Sequence, residues 1–359
     1  MPDLSMWRKV HPLTPESGPA DVVAVLGSSG FVGRAVVSEL RSRGIGVRPI
    51  RTPRLQWPHG QSLETVSVPR YVHREVTEDL ASRLEGVQVV INAAGLPDGC
   101  APASLALYGA NALLPTIVAR SCALAGVERF VHASSAAVQG TMALDETSRT
   151  AEFSPYSRSK ALGERLLLRE DMVETTIYRA TWVHDVDRPN TRGLIRLAQS
   201  PVSFVAGNGC APTPQVLIDD VADAIAHLAL APGPVPPIVL QPPNGMTTGL
   251  LLRLLGGREP RRVPRLAAGA GTRCLTVYGR ISRGANAHVR RIEMVLFGKE
   301  QVPGWLADQG LAPKLRPEAW ERLAARIPGR SQQSQAASLP DVNGVRLHPR
   351  CSTDSEIRH

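Results

Sequence analysis

Apolar residues come in short blocks that alternate with helical periodicity along the first half of the chain. Asp21 to Leu26 reads as a buried strand. Gly27 to Gly33 then forms a loop, and a helix running to about Arg43 places Val32, Val36 and Leu40 on one face. A second strand is expected at about Val47 to Arg51, with further apolar runs at Val89 to Ala94, Phe130 to Ala133 and Thr175 to Arg179. Helical stretches at Asn111 to Ala125 and Tyr156 to Glu170 separate them, and this alternation predicts an α/β fold whose parallel sheet is covered by helices on both faces.

The rhythm loosens after about Asp185, with Pro-rich breaks at 212–214 and 232–237 around a helix beginning near Asp219. The expected organisation is an N-terminal extension over 1–20, a first domain over 21–185, and a smaller lobe over 186–328, part of which returns to the sheet. A last helix runs from Pro317 to Ile327, and a Ser/Gln-rich tail over 329–359 is expected to be disordered.

The net charge of +9 over 359 residues raises nucleic acid or an anionic membrane as partners. Nine arginines lie between Arg258 and Arg291 against one acid, Glu259, so most of the excess sits in one stretch of the smaller lobe. That concentration favours an anionic small molecule and makes nucleic acid a weaker expectation. The five cysteines are widely spaced with no CxxC pair, so neither a metal site nor a redox couple is expected. With no signal-peptide pattern and no apolar run long enough for a bilayer, the expected location is cytoplasmic, with no membrane partner.

A strand, then Gly27, Gly30 and Gly33, then a helix, is the context in which glycines bind a dinucleotide. Gly27 permits the tight turn, Gly30 lets backbone approach a pyrophosphate, and Gly33 allows helix and strand to pack closely. The helix N-terminus, with Phe31 and Val32, then faces the phosphates. Where the second strand ends, an NAD-binding chain usually has an acid for the ribose hydroxyls, and here stands Arg51, with Arg48 and Arg54 nearby. Arginine cannot accept those hydrogen bonds but pairs with a 2′-phosphate, which favours NADP(H) over NAD(H). The plainer alternative is that Arg51 begins a solvated loop.

The GxxGxxG spacing, the segment Phe130-Val-His-Ala-Ser-Ser-Ala-Ala-Val-Gln-Gly140 and Tyr156-Ser-Arg-Ser-Lys160, a YxxxK motif, together resemble the extended branch of the short-chain dehydrogenase/reductase superfamily, the NAD-dependent epimerase/dehydratase-like family. The resemblance covers roughly residues 22 to 325 and implies a doubly wound parallel-sheet Rossmann domain with a smaller C-terminal substrate lobe. It implies Ser135 as the catalytic serine, Ser134 being the less favoured choice, with Tyr156 as proton donor and Lys160 as its support and a cofactor contact. Spacing puts Tyr156 and Lys160 one turn apart on a helix, where an ammonium stabilises a phenolate. Further implied cofactor contacts are Glu75, in place of an adenine-contacting Asp, and Asn92, Ala93 and Ala94. Asn111 matches an Asn of the family, and reads equally well as a helix N-cap.

Family dehydratases follow the catalytic Ser or Thr with Asp-Glu; here Ala136 and Ala137 occupy those positions, which disfavours dehydration. The resemblance is to nucleotide-sugar 4-ketoreductases. It implies an NADPH-dependent reduction of a nucleoside-diphosphate 4-keto-6-deoxyhexose in antibiotic-type deoxysugar biosynthesis, in a protein that is often a homodimer. An NAD-dependent epimerase, a reductase of a non-sugar ketone and a non-enzymatic dinucleotide sensor remain as alternatives. Thr213 stands where the branch commonly has a diphosphate-binding Arg, a departure that puts the nucleotide sugar in doubt.

Overall fold

The computed structural model describes residues 22–60, 68, 73–97, 102–170, 172–269 and 293–326. The expected extension over 1–20, the tail over 329–359 and Arg273, Arg280, Arg283, Arg290 and Arg291 lie outside the described residues. None of the described helices is long and apolar enough to cross a membrane.

The chain divides into two compact units, the first comprising residues up to Thr181 together with Ile218–Gln241 and Gly304–Leu311. It contains β1 (Val22–Leu26), α1 (Phe31–Ser42), β2 (Gly46–Ile50), α2 (Arg74–Arg83), β3 (Val89–Asn92) and α3 (Leu105–Tyr108), followed by α4 (Leu114–Leu124). After α4 come β4 (Arg129–Ser135), α5 (Pro155–Glu170) and β5 (Glu174–Ala180). Across both units the chain continues through β6 (Trp182–His184), α6 (Pro189–Gln199), β7 (Phe204–Ala206), β8 (Gln215–Leu217), α7 (Ile218–Leu230), β9 (Ile238–Leu240), α8 (Thr248–Gly256) and β10 (Arg261–Val263).

Six strands form one parallel sheet in the order β2-β1-β3-β4-β5-β9. The order reverses between β1 and β3, and open α/β sheets bind ligands at the carboxyl ends of strands at such a point. The register places Leu26 opposite Asn92, Asn92 opposite His132 and Ser134 opposite Arg179, so the expected site residues stand side by side at one edge. Ala24, Leu26, Val90, Phe130 and Ile177 pack with Leu113, Ile117, Leu162 and Leu166 of the helical layer in a continuous core. Burial on both faces explains why the strands read as unbroken apolar runs.

The helix expected to open at Asn111 begins earlier, at Leu105. Ser104 is its N-cap and accepts from the Leu107 N–H at 3.1 Å. Asn111 is therefore not a cap but sits inside a π-helical turn, Gly109–Leu113, between α3 and α4. Pro115 supplies the reason: it has no N–H to donate to the Asn111 carbonyl and its ring crowds that oxygen, so the helix widens there. Gly109 starts the turn where a Cβ would meet the Leu55 carbonyl oxygen at 2.1 Å.

Gly304–Leu311 belongs to the first unit although expected in the smaller lobe. Glu146 holds it, accepting from the Leu240 N–H at 2.9 Å and the Trp305 N–H at 3.0 Å. The second unit pairs β6 with β8 and β7 with β10. Its core is built from Leu194, Ile195, Leu251, Leu255 and Trp320. There the buried His184 lies between Thr191 and Gln215, and burial lowers its pKa to about 4.

Candidate active site

The glycine loop at the end of β1 is a cradle that side chains would fill. Gly27 has φ +73°, and a Cβ on it would fall 2.6 Å from the Ala94 nitrogen, so the loop lies directly against the segment following β3. A Cβ on Gly33 would meet the Gly27 carbonyl oxygen at 2.0 Å, which is the close approach of helix and strand the spacing predicts. The Gly30 N–H donates to Gly27 O at 2.8 Å. Gly30 is also the N-cap of α1 and brings no side chain to its first-turn N–H groups, where Phe31 and Val32 begin the helix. This concave helix start suits a pyrophosphate.

Arg51 follows β2 and is exposed; its carbonyl accepts from Arg83 Nη2 at 3.0 Å. Arg48 is differently engaged, donating to the Glu85 carbonyl at 2.9 Å. A cleft of about 450 Å³ between α1 and β2 is lined by Ser28, Ser29, Arg34 and Arg41 with no acid among its lining residues. Glu75 is exposed in the first turn of α2, and no described contact joins it to the other site residues.

At the end of β3, Asn92 is fully buried. Its Oδ1 accepts from the Ala94 N–H at 3.0 Å, fixing the turn through Ala93 and Ala94 against the glycine loop. Its Nδ2 therefore faces His132 Nδ1, 3.3 Å away, as donor, which leaves the His132 hydrogen on Nε2. That buried Nε2 has no partner among the described residues. Burial and the charge of Lys160 hold the His132 pKa well below the ordinary histidine value, so the ring is neutral.

Ser134 and Ser135 point to opposite faces of β4. Ser134 is buried and donates to Glu164, so its hydroxyl is engaged inside the fold. Ser135 is half-buried at the strand end, where its Oγ accepts from the Ala137 N–H at 3.2 Å and keeps its proton for another acceptor. The two serines thus have different surroundings, one engaged by Glu164 and the other by backbone.

Tyr156 lies in the first turn of α5 and Lys160 one turn later. Lys160 is 5% exposed and donates from Nζ to the Ala133 carbonyl at 2.9 Å, joining α5 to β4 two residues before Ser135. Burial lowers its pKa to about 8, opposed by the carboxylate of Glu164. Asn111, carried inward by the π-helical turn, binds both backbone groups of Leu96, at 2.9 and 3.1 Å, and donates to Ser159 Oγ at 3.0 Å. Gly95 completes the contact, since a Cβ there would lie 2.8 Å from Asn111 Oδ1 and 3.3 Å from Lys160 Nζ. The segment after β3, the π-helical turn, α5 and β4 are thus joined by short polar contacts.

Sequence reasoning missed Glu164 and its partner Arg179, although Tyr156, Lys160 and Glu164 continue one spacing of four. In the second unit, Thr213 is buried, with its hydroxyl accepting from Gln215 Nε2 at 2.9 Å. Of the arginine cluster, Arg258 donates to the Gln199 and Ser200 carbonyls that end α6, a structural use.

The chain is 26% identical over 217 residues to a curated Mus musculus protein, "Sterol-4-alpha-carboxylate 3-dehydrogenase, decarboxylating", a match covering 55% of this chain and 56% of that relative. It thus spans little more than half of the relative's length. Among solved structures, "MoeE5 in complex with UDP-glucose and NAD" is 20% identical with TM-score 0.54, over 84% of this chain and 97% of that one. The Thermus thermophilus UDP-glucose 4-epimerase in complex with NAD is 20% identical with TM-score 0.56, over 85% of this chain and 98% of that one. At such identity the likeness is one of fold. The model of the NAD dependent epimerase/dehydratase family matches residues 23–237. With the glycine cradle, Ser135 and the Tyr156–Lys160 turn in place within that span, the chain belongs to the NAD dependent epimerase/dehydratase family, whose enzymes are of the NAD(P)-dependent oxidoreductase type.

Proposed function

We propose that the protein is an NADPH-dependent ketoreductase that reduces the 4-keto group of a nucleoside-diphosphate 4-keto-6-deoxyhexose, a step of antibiotic-type deoxysugar biosynthesis. The carrying observation is the Lys160 bond to Ala133 O, which ties the turn bearing Tyr156 to the strand end bearing Ser135. Gly27, Gly30, Phe31, Val32 and Gly33 would hold the pyrophosphate, and Asn92, Ala93, Ala94 and Lys160 would line the rest of the dinucleotide. When bound, the cofactor supplies the hydride. Tyr156 donates a proton to the substrate oxygen, Ser135 orients that oxygen through the hydroxyl proton it retains, and the Lys160 ammonium makes the phenol a stronger acid. Ala136 and Ala137 offer no acid or base beside Ser135, which supports simple reduction over dehydration.

NADPH is preferred in this reading because Arg51 is exposed at the end of β2 and the adjacent α1–β2 cleft is basic. The solved relatives named above hold NAD, and two are described with UDP-glucose or as acting on it, which supports a nucleotide-sugar substrate. A second reading, reduction of a non-sugar ketone, is supported by the buried and engaged Thr213 and by the sterol dehydrogenase relative. The test is NADPH consumption against nucleotide 4-keto sugars and, in parallel, a 3-ketosteroid, with product configuration read by NMR. Turnover of the sugars alone supports the first reading, and turnover of the steroid alone replaces it with the second. No reduction of either, with NAD released on denaturation, points to an epimerase.

A further inference from the structure

Glu164 lies one turn beyond Lys160, so Tyr156, Lys160 and Glu164 share one face of α5. It is 1% exposed and almost fully hydrogen-bonded. Ser134 Oγ donates to it, and Arg179 donates from Nε and Nη2, the latter at 2.7 Å. Arg179 is itself fully buried and gives its remaining Nη1 group to the carbonyls of Asp145 and Thr147. Successive turns of α5 therefore grip successive residues of β4: Lys160 holds the Ala133 carbonyl and Glu164 holds the Ser134 hydroxyl. The next residue is Ser135.

One helical turn from Lys160 on α5, the same carboxylate raises the Lys160 pKa against the effect of burial. From α5 itself the other titratable neighbour is Tyr156, and from β4 it is the neutral His132. Arg179 approaches from β5 with Glu164 as its ion-pair partner, while β3 and the π-helical turn present the uncharged Asn92 and Asn111. We propose that Glu164 is a positioning residue: it supplies the counter-charge that keeps Lys160 an ammonium beside Tyr156 and, through Ser134, holds Ser135 at the edge of the site. This rests on the ketoreductase reading for its consequence in turnover, but the charge relation itself is measurable without a substrate.

Only Lys9, Lys160, Lys299 and Lys314 are lysine, so a protein grown on lysine carbon-13 labelled at Cε gives few signals, and the Lys160→Met variant assigns the one needed. The full chain is titrated from pH 6 to 11. The wild-type Lys160 midpoint is expected near 8. In Glu164→Gln, which keeps the shape and an acceptor oxygen but removes the charge, it is expected to fall by about one unit or more. Ser134→Ala leaves the midpoint in place. A folded Glu164→Gln protein whose midpoint stays within about 0.3 units of wild type overturns the proposal. If circular dichroism shows that Glu164→Gln does not fold, the same criterion is applied to the difference between Arg179→Met and Glu164→Met with Arg179→Met, two variants that differ by the Glu164 charge alone. Absence of carbonyl reduction by the wild type would remove the ketoreductase reading and leave the titration result standing.

Discussion

Replacing Lys160 by Met is expected to stabilise the protein at neutral pH while removing its proposed activity. Burial lowers the Lys160 pKa from the ordinary 10.5 to about 8. At about 1.36 kcal/mol per pH unit, carrying the ammonium in the folded state costs about 3 kcal/mol relative to the unfolded chain. Methionine follows much the same path with no charge, and the lost bond to Ala133 O returns about 1 kcal/mol. The net expectation at pH 7 is a gain of about 2 kcal/mol. The sign follows from proton counting: between pH 8 and 10.5 the unfolded chain binds the Lys160 proton and the folded chain does not, so wild-type stability rises with pH across that window. Lys160→Met lacks that rise, and its advantage should shrink from pH 8 upward and reverse at about pH 9.5, before the window closes at 10.5. Urea unfolding at about pH 7, 8.5 and 10 measures this as a midpoint shift at constant slope. A variant less stable than wild type at pH 7, or a difference that does not change with pH, refutes the reasoning.

Gly33→Ala forces a methyl to within 2.0 Å of the Gly27 carbonyl, so the cradle must open. The expected result is a loss of at least tenfold in dinucleotide affinity, read by NADPH fluorescence titration, with lowered thermal stability. Ser135→Ala should reduce kcat by about 10²-fold with NADPH affinity unchanged, whereas Ser134→Ala should lower kcat less than about tenfold and cost about 1–2 kcal/mol of stability, since Glu164 loses a buried donor. Equal kinetic losses from the two would contradict the separation of their roles. Arg51→Ala should narrow the ratio of kcat/KM for NADPH over NADH by about tenfold, corresponding to one charge-assisted pair with phosphate.

The parallel sheet and its glycine cradle were legible in the chain because both depend on local pattern. Buried strands such as Val22–Leu26 carry apolar runs that need no partner to be recognised, and Gly27, Gly30 and Gly33 have a spacing that backbone contact demands. Tyr156 and Lys160 were legible for the same reason, four residues apart on one helix. What escaped depends on distant partners. Arg179 meets Glu164 because β4 and β5 pair with Ser134 opposite Arg179, a register no local pattern states. Gly304–Leu311 returns to the first unit because Glu146, far earlier in the chain, accepts its backbone N–H, and Gly304 leaves room for that carboxylate. The early start of the helix at Leu105 was readable in part, since Ser104 is an ordinary N-cap residue, but the π-helical turn that Pro115 imposes displaced the apparent periodicity. The departure at Thr213 was visible in the chain; its burial and engagement with Gln215 are tertiary facts.

In the proposed reaction Tyr156, one turn from Lys160 on α5, delivers the proton that completes hydride transfer to a ketone. The most direct measurement follows deuterium from the reduced C4 position of labelled NADPH into the ketone carbon of the best substrate, for wild type and Tyr156→Phe. Wild type should give product bearing one deuterium per NADPH consumed, and Tyr156→Phe should fall by at least about 10²-fold in rate with its NADPH affinity intact. Undiminished deuterium transfer by Tyr156→Phe would rule out Tyr156 as the proton donor.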